Sequence, residues 1–176
     1  MDTPQWVPAD PRLAEAWYEW RQHPTCLAYN PVDNQAPEIL AERLKKAGHD
    51  LSKWKTIPYF RWFLKRKDAL LGTVSLDNLE VRMKTAEIGF QINPEYYRKG
   101  YGTLALQWIT QEVFSKTPLF RLYGTVTEGN EGSYRCMERA GFIHEGTLRQ
   151  YFDIQGTRKN VRLYARLKTD SNPLFE

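Results

Sequence analysis

The clearest pattern in the chain is a change in the spacing of apolar residues between positions 86 and 109. Apolar residues first alternate with polar residues or glycine from Ala86 to Ile92, which is typical of a strand. Beyond Gly102 they recur at helical spacing from Leu104 to Val113. The sequence therefore predicts a strand, a short glycine-containing turn and a helix.

The turn between these two elements has the composition of an anion site. Arg98 and Lys99 are positively charged, and Gly100 and Gly102 allow the backbone to approach a ligand closely. The first turn of a helix also presents unpaired N–H groups, which bind phosphate. We therefore predict an anion-binding turn beside a strand that carries the carboxylate of Glu87, with an ordinary strand–helix turn as the alternative.

The same patterns predict the other elements. Asp10 is expected to cap a first helix that ends at His23, a loop is expected at 25–36, and a second helix is expected from Pro37 to a C-cap at Gly48. Strands are predicted at 58–66, 69–76, 86–92, 119–127, 142–149 and 157–168, with a polar connection at 77–83 and a helix from Asn130 to Ala140. This order predicts a mixed sheet covered by helices, of the α/β or α+β class, in a single domain over 1–176.

Composition narrows the function classes. The 176 residues carry a net charge of +4, which suits a polyanionic ligand; Lys and Arg are spread along the chain, which argues against a nucleic-acid surface. No apolar run reaches the ~18 residues of a membrane span, and no signal peptide is visible. We expect a cytoplasmic protein with Cys26 and Cys136 as reduced thiols and with no metal site.

Two groups of residues resemble the motifs of a known family. Residues 86–90 with 98–102 resemble motif A of the GNAT N-acetyltransferases. Residues 130–133, 138–142 and 145–149 resemble motif B of the branch that acetylates ribosomal-protein N-termini. The order of elements matches from about residue 6 to residue 168.

The resemblance implies a GNAT fold: a seven-stranded mixed sheet with helices on both faces, splayed between the Glu87 strand and the strand from Leu119. It implies acetyl-coenzyme A as the donor and an amine as the acceptor, with no metal. The donor is expected to contact Phe90, Gln91, Ile92, Tyr97, Arg98, Lys99, Gly100, Tyr101, Gly102, Thr103, Asn130, Ser133 and Arg135.

The chemistry of acetyl transfer assigns roles to two side chains. An amine attacks a thioester only as the free base, and Glu87 is the best-placed carboxylate to take its proton. A backbone N–H near Gln91 or Ile92 is expected to stabilise the oxyanion, if a bulge frees it. Many family members have a tyrosine as proton donor where this chain has Met137. The branch that the chain resembles instead has a serine three residues after the Asn, so the resemblance implies Ser133 as the candidate that protonates the thiolate.

Each of these roles has a structural alternative. Glu87 alternatively is a solvated strand residue, and Ser133 alternatively belongs only to the first turn of its helix. Asn130 is in any case a good N-cap, and Arg135 is as well suited to a surface ion pair.

The sequence defines the acceptor pocket less well than the site of the acetyl donor. The resemblance places it between the first two helices and the last hairpin, where Asn160 replaces an aspartate common in the family. Trp17 and Trp20 are expected in the core. The acceptor is a protein N-terminus or a small amine, and the candidate substrate-binding residues are Tyr29, Asn30, Asp33, Tyr151 and Asp153.

Two other classes of function stay open at this point. One is a GNAT-fold protein that binds coenzyme A without turnover, an alternative supported only by Met137. The other is a basic nucleic-acid-binding protein with exposed aromatic residues. The sequence leaves the choice between a monomer and a homodimer undecided.

Overall fold

The computed structural model describes residues 3–31 and 36–171, which form one seven-stranded mixed sheet with helices on both faces. The strand order is β1-β2-β3-β4-β5-β7-β6, and only β4 and β5 are parallel neighbours. The strands are β1 (Gln5–Pro8), β2 (Phe60–Arg66), β3 (Ala69–Glu80), β4 (Thr85–Ile92), β5 (Arg121–Thr127), β6 (Ile143–Ile154) and β7 (Thr157–Leu167). The helices are α1 (Ala14–Gln22), α2 (Pro24–Tyr29), α3 (Pro37–Lys45), α4 (Tyr101–Lys116) and α5 (Glu131–Arg139).

Each face of the sheet has its own apolar core. On one face α4 and α5 cover the central strands, with Leu106, Ile109 and Met137 buried. On the other face α1 and α3 pack against Phe63 of β2, and here Trp17 and Trp20 are 1% and 6% exposed. The prediction that these two tryptophans belong to the core is confirmed.

The sheet opens at the parallel junction between β4 and β5. The pairing of β4 with β5 runs over three residue pairs and ends where Glu87 pairs with Tyr123. Beyond that pair, β4 stays bonded to β3 as far as Ile92, and β5 stays bonded to β7 as far as Thr127. The predicted splay between the Glu87 strand and the strand after Leu119 is therefore confirmed.

The structure corrects two predictions near the N-terminus. Residues 24–29 form helix α2 rather than a loop, because Pro24 starts a new helix and Nδ1 of His23 accepts the N–H of Thr25 at 3.3 Å. Gly48 is not the C-cap of α3, which is Lys46. Gly48 instead bonds to the start of β2, where any Cβ would lie 2.8 Å from the Phe60 ring.

The predicted sheet was incomplete at its ends. Strand β1 was missed, because four residues with weak alternation give little periodic signal. The connection predicted at 77–83 was wrong in part, since β3 continues to Glu80 through a bulge. The last hairpin turns later than expected, because β6 continues through Asp153 to Ile154.

Candidate active site

The divergence of β4 and β5 creates a cavity of about 180 Å³. Its floor is the opened sheet, and α5 closes one side. The lining residues are Glu87, Ile88, Gly89 and Phe90 from β4, Gly124, Thr125, Val126 and Thr127 from β5, Asn130, Ser133 and Met137 from the α5 region, and Tyr29, Asn30, Pro31 and Phe152.

Glu87 is a half-buried carboxylate at the point where the strands separate. Its Oε2 accepts a hydrogen bond from Nδ2 of Asn78 at 2.6 Å. Burial raises the pKa of Glu87 above its ordinary value; the Asn78 bond opposes this rise, and the charge of Asp77 adds to it. A carboxylate with a raised pKa in a cavity suits general-base chemistry.

Tyr123 and Asp77 flank Glu87 in the neighbouring strands. Tyr123 pairs with Glu87 across the parallel junction, and its pKa is raised by burial and by the Glu87 charge, which keeps the phenol protonated. Asp77 pairs with Glu87 from β3 and accepts bonds from Arg43 at 3.2 Å and from Ser75 at 2.8 Å. The carboxylate of Glu87 in the cavity therefore lies beside the phenol of Tyr123, and among the described residues no cation is bonded to it.

The edge of β4 that faces β5 has no strand partner from Ile88 to Ile92 among the described residues. Such an edge presents backbone N–H and C=O groups in the spacing of a strand. The divergence of β5 frees this edge. The divergence of β5, rather than a bulge in β4, leaves the edge near Gln91 and Ile92 without a partner in the described part of the chain, and the register shift of β3 with β4 lies between Asp77 and Glu80. The oxyanion contact at this edge stays a prediction.

The predicted anion turn follows β4 after a short 3-10 turn at Pro94–Tyr96. Arg98 and Gly100 both have left-handed backbone, with φ of +61° and +83°, and Gly100 caps α4. Gly102 has a different role: an added Cβ would lie 2.7 Å from Sγ of Cys136 and 3.3 Å from the Phe90 ring. One glycine permits the turn and the other permits α4 to pack closely against α5 and β4.

Other side chains of this turn are partly engaged within the protein. Nζ of Lys99 donates to the carbonyl of Glu95 at 3.2 Å. Burial raises the pKa of Tyr97. Burial also raises the pKa of the Cys136 thiol, and a hydrogen bond to Thr103 opposes part of that rise. Arg98 and Arg135 are exposed, and the ring of the half-buried Tyr101 contacts that of Tyr96.

The side chain of Gln91, which is predicted to contact the acetyl donor, is held by residues on the α1 face of the sheet. Its Oε1 accepts the indole N–H of Trp17 at 3.0 Å, and its Nε2 lies 3.5 Å from Sγ of Cys26. The side chain of Gln91 is thus occupied, which leaves its backbone for the predicted contact.

Asn130 and Ser133 lie together at the start of α5. Oδ1 of Asn130 accepts the backbone N–H of Ser133 at 3.2 Å, so the N-cap role is confirmed. Both residues line the cavity, as does Met137. Tyr134 of the same helix is 2% exposed, accepts the Gly129 N–H and donates to the Thr127 carbonyl, which gives it a structural role.

The predicted acceptor residues do not all lie at the cavity. Tyr29 and Asn30 line the cavity, and the Tyr29 carbonyl accepts from Oγ1 of Thr127 at 2.5 Å. Tyr151 is 56% exposed and forms a ring contact with Phe152. Asp153 accepts the N–H of Gly156 at 2.9 Å in the hairpin turn, and Asp33 lies outside the described residues.

Sequence reasoning missed several residues of the site, among them Asn78, Tyr123 and Phe152. Asn78 was placed in a polar connection, and only the bulge brings its amide to Glu87. Tyr123 lies in the strand predicted at 119–127, and Phe152 lies just after the one predicted at 142–149. Both come close to the Glu87 strand, which is distant from them in the sequence. The correct register between β4 and β5 would have identified Tyr123 as the residue that pairs with Glu87.

The part of the chain that the structure describes lacks two further features. No group of three or more His, Cys, Asp or Glu side chains is arranged to hold a metal ion among residues 3–31 and 36–171. Over the same residues, no helix has the length and apolarity needed to cross a membrane.

Comparison with known proteins identifies the family. The acetyltransferase (GNAT) domain family matches residues 5–143, so the chain belongs to that family and the resemblance seen in its motifs is confirmed. An uncharacterized N-acetyltransferase, YoaA of Bacillus subtilis, is 34% identical over 61% of this chain and 62% of its own length. The ribosomal-protein-serine acetyltransferase of Escherichia coli is 31% identical over 58% of this chain and 57% of its own.

The chain thus spans about three fifths of the length of these curated relatives. Solved structures extend the likeness of fold to nearly the whole chain. The spermidine N-acetyltransferase from Vibrio cholerae, solved in complex with CoA and spermine, aligns with a TM-score of 0.80 at 19% identity and covers 95% of this chain and 96% of its own. The predicted GNAT fold is confirmed.

Proposed function

We propose that this protein is an acetyl-coenzyme A-dependent N-acetyltransferase that acts on a primary amine by direct attack in a ternary complex. The observation that carries the proposal is the half-buried Glu87 at the mouth of the splay, beside an unpaired strand edge and the start of α5. Family membership and relatives named as N-acetyltransferases support the same activity.

The residues of the cavity fit coenzyme A as the donor. The free edge of β4 from Ile88 to Ile92 suits the amide groups of pantetheine, which would pair like an added strand. The left-handed cap at Gly100 leaves the first N–H groups of α4 for the pyrophosphate, with Arg98 and Lys99 as nearby cations. Coenzyme A supplies the activated acetyl group as a thioester.

The chain's own groups then account for the proton transfers. Glu87 takes a proton from the acceptor amine, whose nitrogen forms the new bond to the acetyl carbon while the carbon–sulfur bond breaks. Ser133 gives a proton to the departing thiolate, directly or through water. General-base assistance typically contributes ~10²–10⁴-fold to a rate.

The acceptor site is proposed around Tyr29, Asn30, Tyr123 and Tyr151. The aromatic rings and the Glu87 carboxylate suit an ammonium group before its proton is removed. One relative is named for a ribosomal protein and one structural neighbour for spermidine, so both a protein N-terminus and a small amine stay within the proposal.

The test measures release of free thiol from acetyl-coenzyme A with a panel of amines: peptides with free N-termini, polyamines and aminoglycosides. We expect Glu87→Gln to lower kcat/KM for the best acceptor by ~10²-fold or more while the dissociation constant for coenzyme A stays unchanged. Ser133→Ala is expected to lower kcat, with Ser171→Ala, near the end of the described chain, as the matched control.

Two results would contradict the proposal. An unaltered rate and pH profile for Glu87→Gln removes Glu87 as the base. Stabilisation by coenzyme A without turnover on any amine favours the non-catalytic alternative that Met137 suggests.

A further inference from the structure

A bulge in β3 lies beside Glu87. Between the pair of Asp77 with Glu87 and the next pair toward the hairpin turn, β3 contains one more residue than β4. Asn78 follows Asp77 directly and has left-handed backbone, with φ of +47°. Asparagine tolerates this conformation better than most side chains, so the residue type suits the bulge.

The bulge turns two consecutive polar residues toward the same carboxylate. In a regular strand Asn78 would lie on the opposite face from Asp77. Instead, Nδ2 of Asn78 lies 2.6 Å from Oε2 of Glu87, while Leu79 still packs against the apolar core on the α4 face. The extra residue thus adds a hydrogen-bond donor to the active site without changing the core.

The other polar neighbour from β3 is already engaged. The Asp77 carboxylate accepts from Arg43 of α3 at 3.2 Å and from the Ser75 hydroxyl at 2.8 Å. The amide of Asn78 is therefore the donor that holds Glu87 in place.

We propose that Asn78 is a positioning residue for the general base: its amide orients the Glu87 carboxylate in the cavity. The inference rests on the proposed function of Glu87. It adds a residue that lies outside both recognised motifs, at the extra position of a β-bulge.

The direction of the expected effect follows from the charges around Glu87. Burial and the neighbouring Asp77 raise its pKa, whereas the Asn78 bond lowers it. Tyr123 faces it from β5 as a neutral phenol, with Arg121 beyond. Loss of the amide therefore raises the pKa further, and because Glu87 accepts a proton only when ionised, activity on the acidic side falls.

The experiment compares Asn78→Gly with Lys84→Gly. Glycine keeps the left-handed backbone in both, and Lys84, at φ of +55°, is an exposed residue of the same hairpin. Two quantities are followed: the ¹³C NMR titration of the Glu87 carboxyl in the free protein, and the pH profile of kcat/KM. For Asn78→Gly we expect both midpoints to move to higher pH, with kcat/KM on the acidic side about tenfold lower. Lys84→Gly moves neither.

If the midpoint of the Glu87 titration is the same in Asn78→Gly as in the native protein, the inference is wrong, and the proposed function is not affected. A moved titration with an unmoved rate profile overturns the proposal that Asn78 positions the base for the reaction. If Glu87→Gln also keeps its rate, the general-base assignment fails as well. Asn78→Asp serves as a second variant if the glycine variant does not fold. It replaces the donor with a carboxylate, and a Glu87 midpoint that does not rise in it equally overturns the inference.

Discussion

At the scale of single residues, Asn160 of β7 makes two hydrogen bonds that an aspartate, the residue common at this position in the family, would not both make. Its Oδ1 accepts the N–H of Gln150 at 2.9 Å, and its Nδ2 donates to Oε2 of Glu128 at 3.0 Å. Gln150 lies in the irregular part of β6, and Glu128 lies in the loop before Asn130. An aspartate would keep the first bond and lose the second, because it has no donor when ionised.

We therefore expect Asn160→Asp to lower the free energy of unfolding by about 1 kcal/mol, since it loses one hydrogen bond and places a second carboxylate beside Glu128. Urea denaturation measures the change. The double variant Glu128→Gln with Asn160→Asp restores a donor–acceptor pair of reversed polarity, and we expect most of the stability to return. A double variant no more stable than Asn160→Asp alone would show that the pair contributes nothing.

At the scale of elements, the start of α4 depends on two glycines for different reasons. Gly100 needs its left-handed φ of +83°, and open space surrounds it. Gly102 needs its small size, because Cys136 and Phe90 leave no room for a side chain. The first controls the shape of the turn, and the second controls how deeply α4 sits against α5.

Substitution separates these two requirements. Gly100→Ala is expected to cost about 1 kcal/mol through backbone strain, and Gly100→Asn less, since asparagine tolerates the left-handed region. Gly102→Ala is expected to displace the helix start and to weaken coenzyme A binding, with partial rescue by Cys136→Ala, which removes the nearest atom. Thermal unfolding and calorimetric titration with coenzyme A measure both effects. Equal affinity for Gly102→Ala and the native protein would remove this helix start from the donor site.

At the scale of the whole molecule, the two halves of the sheet are joined by only three residue pairs between β4 and β5. The core under α4 and α5 holds the halves together on one face. On the other face α2 reaches the second half through the bond between Thr127 and the Tyr29 carbonyl. This arrangement keeps the sheet open at its centre without separating its halves.

Hydrogen exchange is expected to show where a donor closes this opening. Saturating coenzyme A should slow exchange of amides at 88–92, whose outer edge lacks a strand partner, and leave β2 unchanged. Stability should rise by about 2.7 kcal/mol at 100 times the dissociation constant, and affinity should fall with salt if Arg98 and Lys99 take part. Protection confined to the surface of β6 would place the ligand elsewhere.

The sequence predicted most of the elements, and it failed where the signal was short or irregular. The strand with Glu87, the helix after Gly102 and the cap at Asn130 are as expected, since periodicity and caps are local properties. Helix α2 was missed because a proline that ends one helix also begins the next. The bulge at Asn78 gives no periodic signal of its own.

The sequence by itself determined the strand, turn and helix around Glu87 and Gly100, because neighbouring residues fix the backbone there. It also determined the family, through motifs in a fixed order. Only the tertiary structure decided how wide the sheet opens and which groups surround Glu87. Asn78, Tyr123 and Tyr29 belong to three separate elements, and their meeting depends on strand register and helix packing, which no local pattern encodes.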